Sequence, residues 1–132
     1  MAHASEAVRQ LLLASIDEVP AEIRDAWERH AADSVIDVWE RPALSPRYRS
    51  IVTVAALATR GCPTELRHQV RVALGHGLSR VELCEVAFQV TGYGGLGVGL
   101  EAMRALREVF DEDPDLGAAP DDLPPGLPGA DR

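Results

Sequence analysis

No stretch of this 132-residue chain approaches the roughly 18 consecutive apolar residues that a membrane-spanning helix requires, so no membrane partner is expected. The N-terminus, MAHASEAVRQ, carries an acid early and lacks the basic-then-apolar layout of a secretion signal, which points to a cytoplasmic protein. Cysteine is scarce. Cys62 and Cys84 fall on different predicted helices, too few and too far apart for a disulfide framework or a zinc quartet. They read as free thiols, and no metal site is expected. Basic charge is also short: the formal net charge of −8 argues against a nucleic-acid partner, because phosphate binding wants a basic patch. Most of that charge lies near the C-terminus, where seven acids from Asp111 onward face Arg132 alone.

What remains is helical periodicity. Ser5 to Val19 has apolar residues at Val8, Leu11, Leu12 and Ile16, which predicts a helix under a Ser5 cap. Pro20 interrupts and restarts a second helix through Glu40, with Ile23, Trp27, Ala31, Val35 and Val38 on its apolar face; Trp27 and Trp39 read as core or interface anchors. Arg41-Pro42-Ala43-Leu44 is a connector, since the residue before proline is pushed out of the α region. A third helix, almost all apolar or small in its second half, opens at Pro46 and stops before Gly61. The glycine cluster from Gly92 to Gly99 lacks a complete dinucleotide-loop pattern and reads as a tight bend into a last helix, GLEAMRALREVF. From Asp113 the prolines, glycines and acids have no period, so disorder is expected there. The expectation is an all-α fold of about six helices: one domain over 1–112, then a disordered acidic tail over 113–132. Its third to fifth helices are apolar beyond what one small bundle covers, which predicts a homo-oligomer.

The residues capable of chemistry concentrate between Cys62 and Tyr93. A helix starts at Pro63, where a missing N–H costs nothing, and ends at Gly75-His76-Gly77. The next opens with Ser79-Arg80-Val81-Glu82, a capping box. On the first of these helices Glu65, Gln69, Val72 and His76 share one face. That face is either a polar site or a solvated or subunit-facing stripe.

The order and spacing of several segments resemble the carboxymuconolactone decarboxylase family, from about Val38 to Val109. They include Trp39-Glu40-Arg41-Pro42-Ala43-Leu44-Ser45, Arg47-Tyr48-Arg49-Ser50, Thr53-Val54-Ala55-Ala56-Leu57-Ala58 and Glu65-Leu66. Arg71-Val72-Ala73-Leu74, Gly77-Leu78-Ser79, Glu82-Leu83, Glu85-Val86 and Tyr93-Gly94-Gly95 continue the match. The resemblance implies an all-helical subunit centred on a helical hairpin and assembled as a trimer or hexamer. It also implies decarboxylation of a γ-lactone acid without metal or organic cofactor. A sister branch of alkylhydroperoxidase-like proteins uses a C-x-x-C pair followed by a histidine. This chain departs from both. Gln69 stands where a histidine is usual, Glu65 replaces the second redox cysteine after Cys62, and Gly97 replaces a proline after the tyrosine–glycine element. The scaffold is that of the family, with an altered site.

Decarboxylation into a neighbouring unsaturated carbonyl needs a polarised electron sink and a proton delivered to carbon. Glu65, Gln69 and His76 are the catalytic candidates: Glu65 as proton donor, Gln69 as donor to an enolate oxygen, His76 as assistant. Arg47 or Arg41 can grip a substrate carboxylate, and Tyr93 can add a donor. Each has a structural alternative. Arg47 can pair with Glu40, Glu65 can complement its own helix dipole, His76 can be an exposed helix cap, and Tyr93 can simply pack. The first expectation is thus a cofactor-independent enzyme acting on a small cyclic or unsaturated carbonyl acid or lactone. It would work by decarboxylation, isomerisation or cyclisation. The alternatives are a non-catalytic oligomeric binding protein on the same fold and a single-cysteine peroxidase-like protein using Cys62.

Overall fold

The computed structural model describes residues 6, 9, 10 and 12–117. The described part is all-α: every regular element is helical, and none is long and apolar enough to cross a membrane. The chain divides into two compact units, 1–49 and 50–132.

In the first unit, the predicted helix over 5–19 is only partly described, with helical positions at Glu6, Arg9, Gln10 and Leu12 to Ala14 followed by a 3₁₀ turn, Ile16–Glu18. The second predicted helix is broken. It begins as a 3₁₀ turn at Ala21–Ile23, becomes α1 at Arg24–Ala31, widens into a π segment at Ala32–Ile36 and finishes as α2 at Asp37–Glu40. The Ser34 hydroxyl donates to the His30 carbonyl, a bond that competes with the helical ladder at this widening. A π turn inserts one residue and so advances the buried face by one position. The expected stripe ran through Ala31, Val35 and Val38; the observed one runs through Ala31, Ile36 and Trp39, while Val35 and Val38 are exposed. Leu12 and Ala32 pack on Ile36 and Trp39. Trp27 is half exposed rather than in this core.

The second unit carries the larger core. The unit boundary falls within α3, Pro46–Arg60, and the unit continues with α4 (Pro63–Gly75), α5 (Arg80–Gly94) and α6 (Leu96–Glu112). Gly61, in the left-handed region at φ +69°, ends α3, and Pro63 sits in the first turn of α4. Both halves of the predicted capping box form: Ser79 Oγ accepts from Glu82 N–H at 3.0 Å, and Glu82 Oε1 accepts from Ser79 N–H at 3.1 Å. Helical spacing builds the core, with Leu83, Ala87 and Val90 on α5 against Ala102, Ala105, Leu106 and Val109 on α6. Val70 and Ala73 of α4 are fully buried in the same cluster. Each large apolar side chain so buried contributes about 1.5–3 kcal/mol.

The glycine cluster does not act as one bend. Gly92 and Gly94 are inside α5, Gly97 and Gly99 inside α6, and the turn between them falls to Gly95 at φ +102°. The last helix therefore starts three residues earlier than expected. After α6, the segment from Asp113 to Gly117 is held by Arg80. Its Nε donates to the Leu116 carbonyl at 3.0 Å, and its Nη2 donates to the carbonyls of Asp113 and Pro114 at 2.9 and 2.8 Å. The expected disorder over 118–132 lies outside the described residues.

Candidate functional site

The candidate site is built on α4 and the segment that caps it. Gln69 faces inward and is 8% exposed. Among the described residues its Oε1 is buried without a hydrogen-bond partner. A buried amide oxygen left in this way costs about 1–3 kcal/mol.

Two turns further on, His76 occupies the C-cap. Its backbone N–H donates to the carbonyls of Val72 and Ala73 at 2.9 and 3.1 Å, and Gly77, at φ +90°, turns the chain away. The ring is half-buried, and its Nδ1 lies 2.8 Å from Ser50 Oγ of α3. Burial disfavours the charged imidazolium and pulls the pKa of His76 below the ordinary 6.5, so the ring is neutral near pH 7. A neutral imidazole carries one donor and one acceptor, the state needed to take up and return a proton.

The structure brings Gln69, His76 and Ser50 to the buried side of the second unit. It does not bring Glu65 there: that carboxylate shares the helical azimuth of Gln69 but is exposed in the first turn of α4, where its charge complements the helix dipole. Tyr93 is 90% exposed near the end of α5. It borders a shallow apolar cleft of about 270 Å³, shared with Ala55, Thr59, Gln89, Val90 and Gly94. In the first unit, Arg41 is exposed and its carbonyl accepts from Arg49 Nη2 at 2.9 Å, while Arg47 is half-buried. Cys62 and Cys84 are free and half-buried; burial, with Glu85 beside it, pushes the Cys84 thiol up. Among the described residues no group of three or more His, Cys, Asp or Glu is placed to hold a metal ion.

Ser50 escaped the reading of the sequence. Its signal was present, because Ser50, Val54 and Ala58 form the buried stripe of α3 at intervals of four. A hydroxyl on an apolar stripe requires a partner, and the partner here is 26 residues away.

The profile of the carboxymuconolactone decarboxylase family matches residues 21–108, most of the chain. This chain belongs to that family. It is 39% identical over 85 residues to the 4-carboxymuconolactone decarboxylase of Acinetobacter baylyi, covering 64% of this chain and 61% of that protein. It is 27% identical over 100 residues to an uncharacterized 15.0 kDa protein encoded between nqo9 and nqo10 in Paracoccus denitrificans, covering 74% and 69% of the two chains. The chain thus spans less than two thirds of the length of the Acinetobacter relative. No solved structure gives a significant match. The buried Gln69 bears on chemistry, since an amide cannot carry a proton near neutral pH.

Proposed function

We propose that this family member is a cofactor-independent enzyme acting on a small cyclic or unsaturated carbonyl acid or lactone of the 4-carboxymuconolactone type. The observation that carries this reading is the buried polar set on and beside α4, in which Gln69 is buried and His76 is bonded to Ser50 and held neutral by burial. In the proposed reaction the bond between the substrate carboxylate and its neighbouring carbon breaks and carbon dioxide leaves. The electron pair flows into the conjugated carbonyl, giving an enolate. The Gln69 amide N–H donates to that oxygen, with Tyr93 as a further donor. Glu65, which lies apart from this buried set in the isolated subunit, is the proposed proton donor to carbon, and His76 is proposed to assist. Arg47 or Arg41 holds the departing carboxylate through a charge-assisted pair. Isomerisation or cyclisation would instead form an enolate by proton abstraction from carbon, the carboxylate being retained, and return the proton at another position.

Assembly as a trimer or hexamer belongs to this proposal. Phe88, Tyr93 and Leu96 are 64%, 90% and 78% exposed in the isolated subunit, and packing between copies would cover them. The test is turnover of 4-carboxymuconolactone by the purified protein, with Glu65→Gln beside it: unchanged turnover in the variant removes Glu65 as the acid.

A second reading is a non-catalytic oligomeric binding protein. It is favoured by Gln69, which offers hydrogen bonds and no titratable proton, and by the exposure of Glu65. Saturable binding of the lactone acid without its consumption would support it. A third, a single-cysteine redox protein using Cys62, predicts peroxide consumption that Cys62→Ser abolishes.

A further inference from the structure

The chain beyond α6 is ordered as far as Gly117, and its own backbone does little to order it. Within Asp113–Gly117 the Leu116 N–H donates to the Asp113 carbonyl at 3.1 Å, which closes a single turn. A segment at the end of the last helix loses its freedom only when something else ties it down. Here the ties come from α4 and α5. Arg71 of α4 pairs with Glu112 and, through its Nε at 3.1 Å, with Asp113. Arg80, the first residue of α5, donates to the carbonyls of Asp113, Pro114 and Leu116. Leu116 packs on the edge of the core.

Gly117 completes the attachment by contact. Its φ is +68°, and a Cβ there would fall 2.5 Å from Leu74 Cδ2 and 3.6 Å from Arg80 Cγ, so its backbone lies against both residues at once. Leu74 belongs to the last turn of α4 and Arg80 opens α5. They therefore stand on either side of the turn over 76–79, which carries His76. From α3, the Ser50 hydroxyl meets the ring of the same histidine at 2.8 Å.

We propose that Asp113–Gly117 is a positioning strap: by closing across Leu74 and Arg80 it clamps the α4–α5 turn and holds the His76 ring against Ser50. The inference rests on His76 being a site residue, as proposed above, and adds a segment beyond α6 to what keeps that residue in place.

A lesser role, capping the end of α6, does not account for the contacts. That end is already closed by the bond from the Asp113 N–H to the Val109 carbonyl at 3.0 Å, which needs neither Arg80 nor Gly117. The glycine argues the same way. Its positive φ and its approach to Leu74, a residue only 7% exposed, place the chain where a side chain would have to displace the core.

The experiment compares the full-length parent with Gly117→Ala and Arg80→Lys at about pH 7.5, where the His76 ring is neutral. Two signals are read: amide hydrogen exchange, and the proton–carbon cross-peak of the His76 ring, assigned with His76→Gln. Gly117→Ala sets a methyl group against Leu74, and Arg80→Lys removes the fork that reaches three carbonyls. In both variants the Gly77 and Leu78 amides, bonded to the Leu74 and Ala73 carbonyls, should exchange about tenfold faster or more. The amide of fully buried Val109 should change little, and the ring cross-peak should move toward that of exposed His30. Faster exchange at Leu116 with the turn amides and the His76 cross-peak unchanged overturns the proposal, because the strap then covers only its own surface. Equal acceleration at Val109 also overturns it, since the strap then supports the whole fold and not the turn. If Gly117→Ala does not fold, Arg80→Lys decides alone; failure of both to fold overturns the proposal. No turnover is measured, so a protein that leaves every lactone untouched can still give the expected exchange pattern, and the two failures stay distinct.

Discussion

Gly99 of α6 lies so close to Thr91 of α5 that a Cβ at position 99 would fall 2.7 Å from the Thr91 Cβ, and closer still to its hydroxyl oxygen. Thr91 cannot swing aside cheaply, because its hydroxyl donates to the Ala87 carbonyl at 2.8 Å and its side chain is short. The pair sets how closely α5 and α6 pack. Gly99→Ala raises helix propensity yet is expected to destabilise, by about 1–3 kcal/mol of overpacking strain less up to ~1 kcal/mol of propensity gain. Urea denaturation measures the difference. Gly97→Ala, which meets open space, is the control and should hold or gain stability.

The lowered pKa of His76 gives a pH dependence with a definite sign. Burial disfavours the charged ring, so below the ordinary 6.5 the unfolded chain binds more protons than the folded one. The contribution is whole above that value and is lost as pH falls through the folded pKa. Denaturation midpoints at about pH 7.5 and about pH 5 should fall further for the parent than for His76→Gln, with the carboxylates common to both cancelling.

Arg80 ties the start of the C-terminal segment to α5. Its guanidinium donates to three carbonyls of residues 113–116 and lies 4.7 Å from the centroid of the Phe110 ring. Lysine keeps the charge but not the planar fork that reaches several acceptors. In Arg80→Lys the Leu116 amide, bonded to the Asp113 carbonyl at 3.1 Å, should exchange about tenfold faster or more, with the amide of fully buried Val109 little changed. Hydrogen exchange with mass or NMR readout checks this.

The exposed apolar side chains of α5 and α6 bear on assembly. If copies of the chain cover Phe88 and Leu96, light scattering of the parent should give a multiple of the 14.2 kDa subunit. Phe88→Glu with Leu96→Glu should move the mass toward one subunit.

Helix existence in the second unit was legible because each boundary carries local chemistry: Gly61 and Pro63 around the α3–α4 turn, and the Ser79–Glu82 box before α5. The first unit was less so. A π widening has no single-residue signature, and its one-residue advance moved the buried face from Val35 and Val38 to Ile36 and Trp39. The glycines from 92 to 99 look alike in sequence. Only packing tells that Gly95 turns, Gly99 allows close approach and the others are ordinary helix. At the candidate site, the shared face of Gln69 and His76 followed from spacing, but burial along that face did not. Depth depends on which neighbours extend beside each turn, and this leaves Glu65 exposed while Gln69 is covered. Ser50 was out of reach for a related reason, since its partner is distant in the chain.

The central claim is that His76, beside the buried Gln69, assists proton transfer on a small lactone acid. The direct measurement is the rate of 4-carboxymuconolactone consumption by purified parent protein and by His76→Gln, with folding of both checked by circular dichroism. Loss of the proton-transfer group should lower kcat by about 10²–10⁴-fold with KM changed much less. A His76→Gln protein that turns over the lactone at the parent rate, or a parent that leaves it untouched, would contradict it.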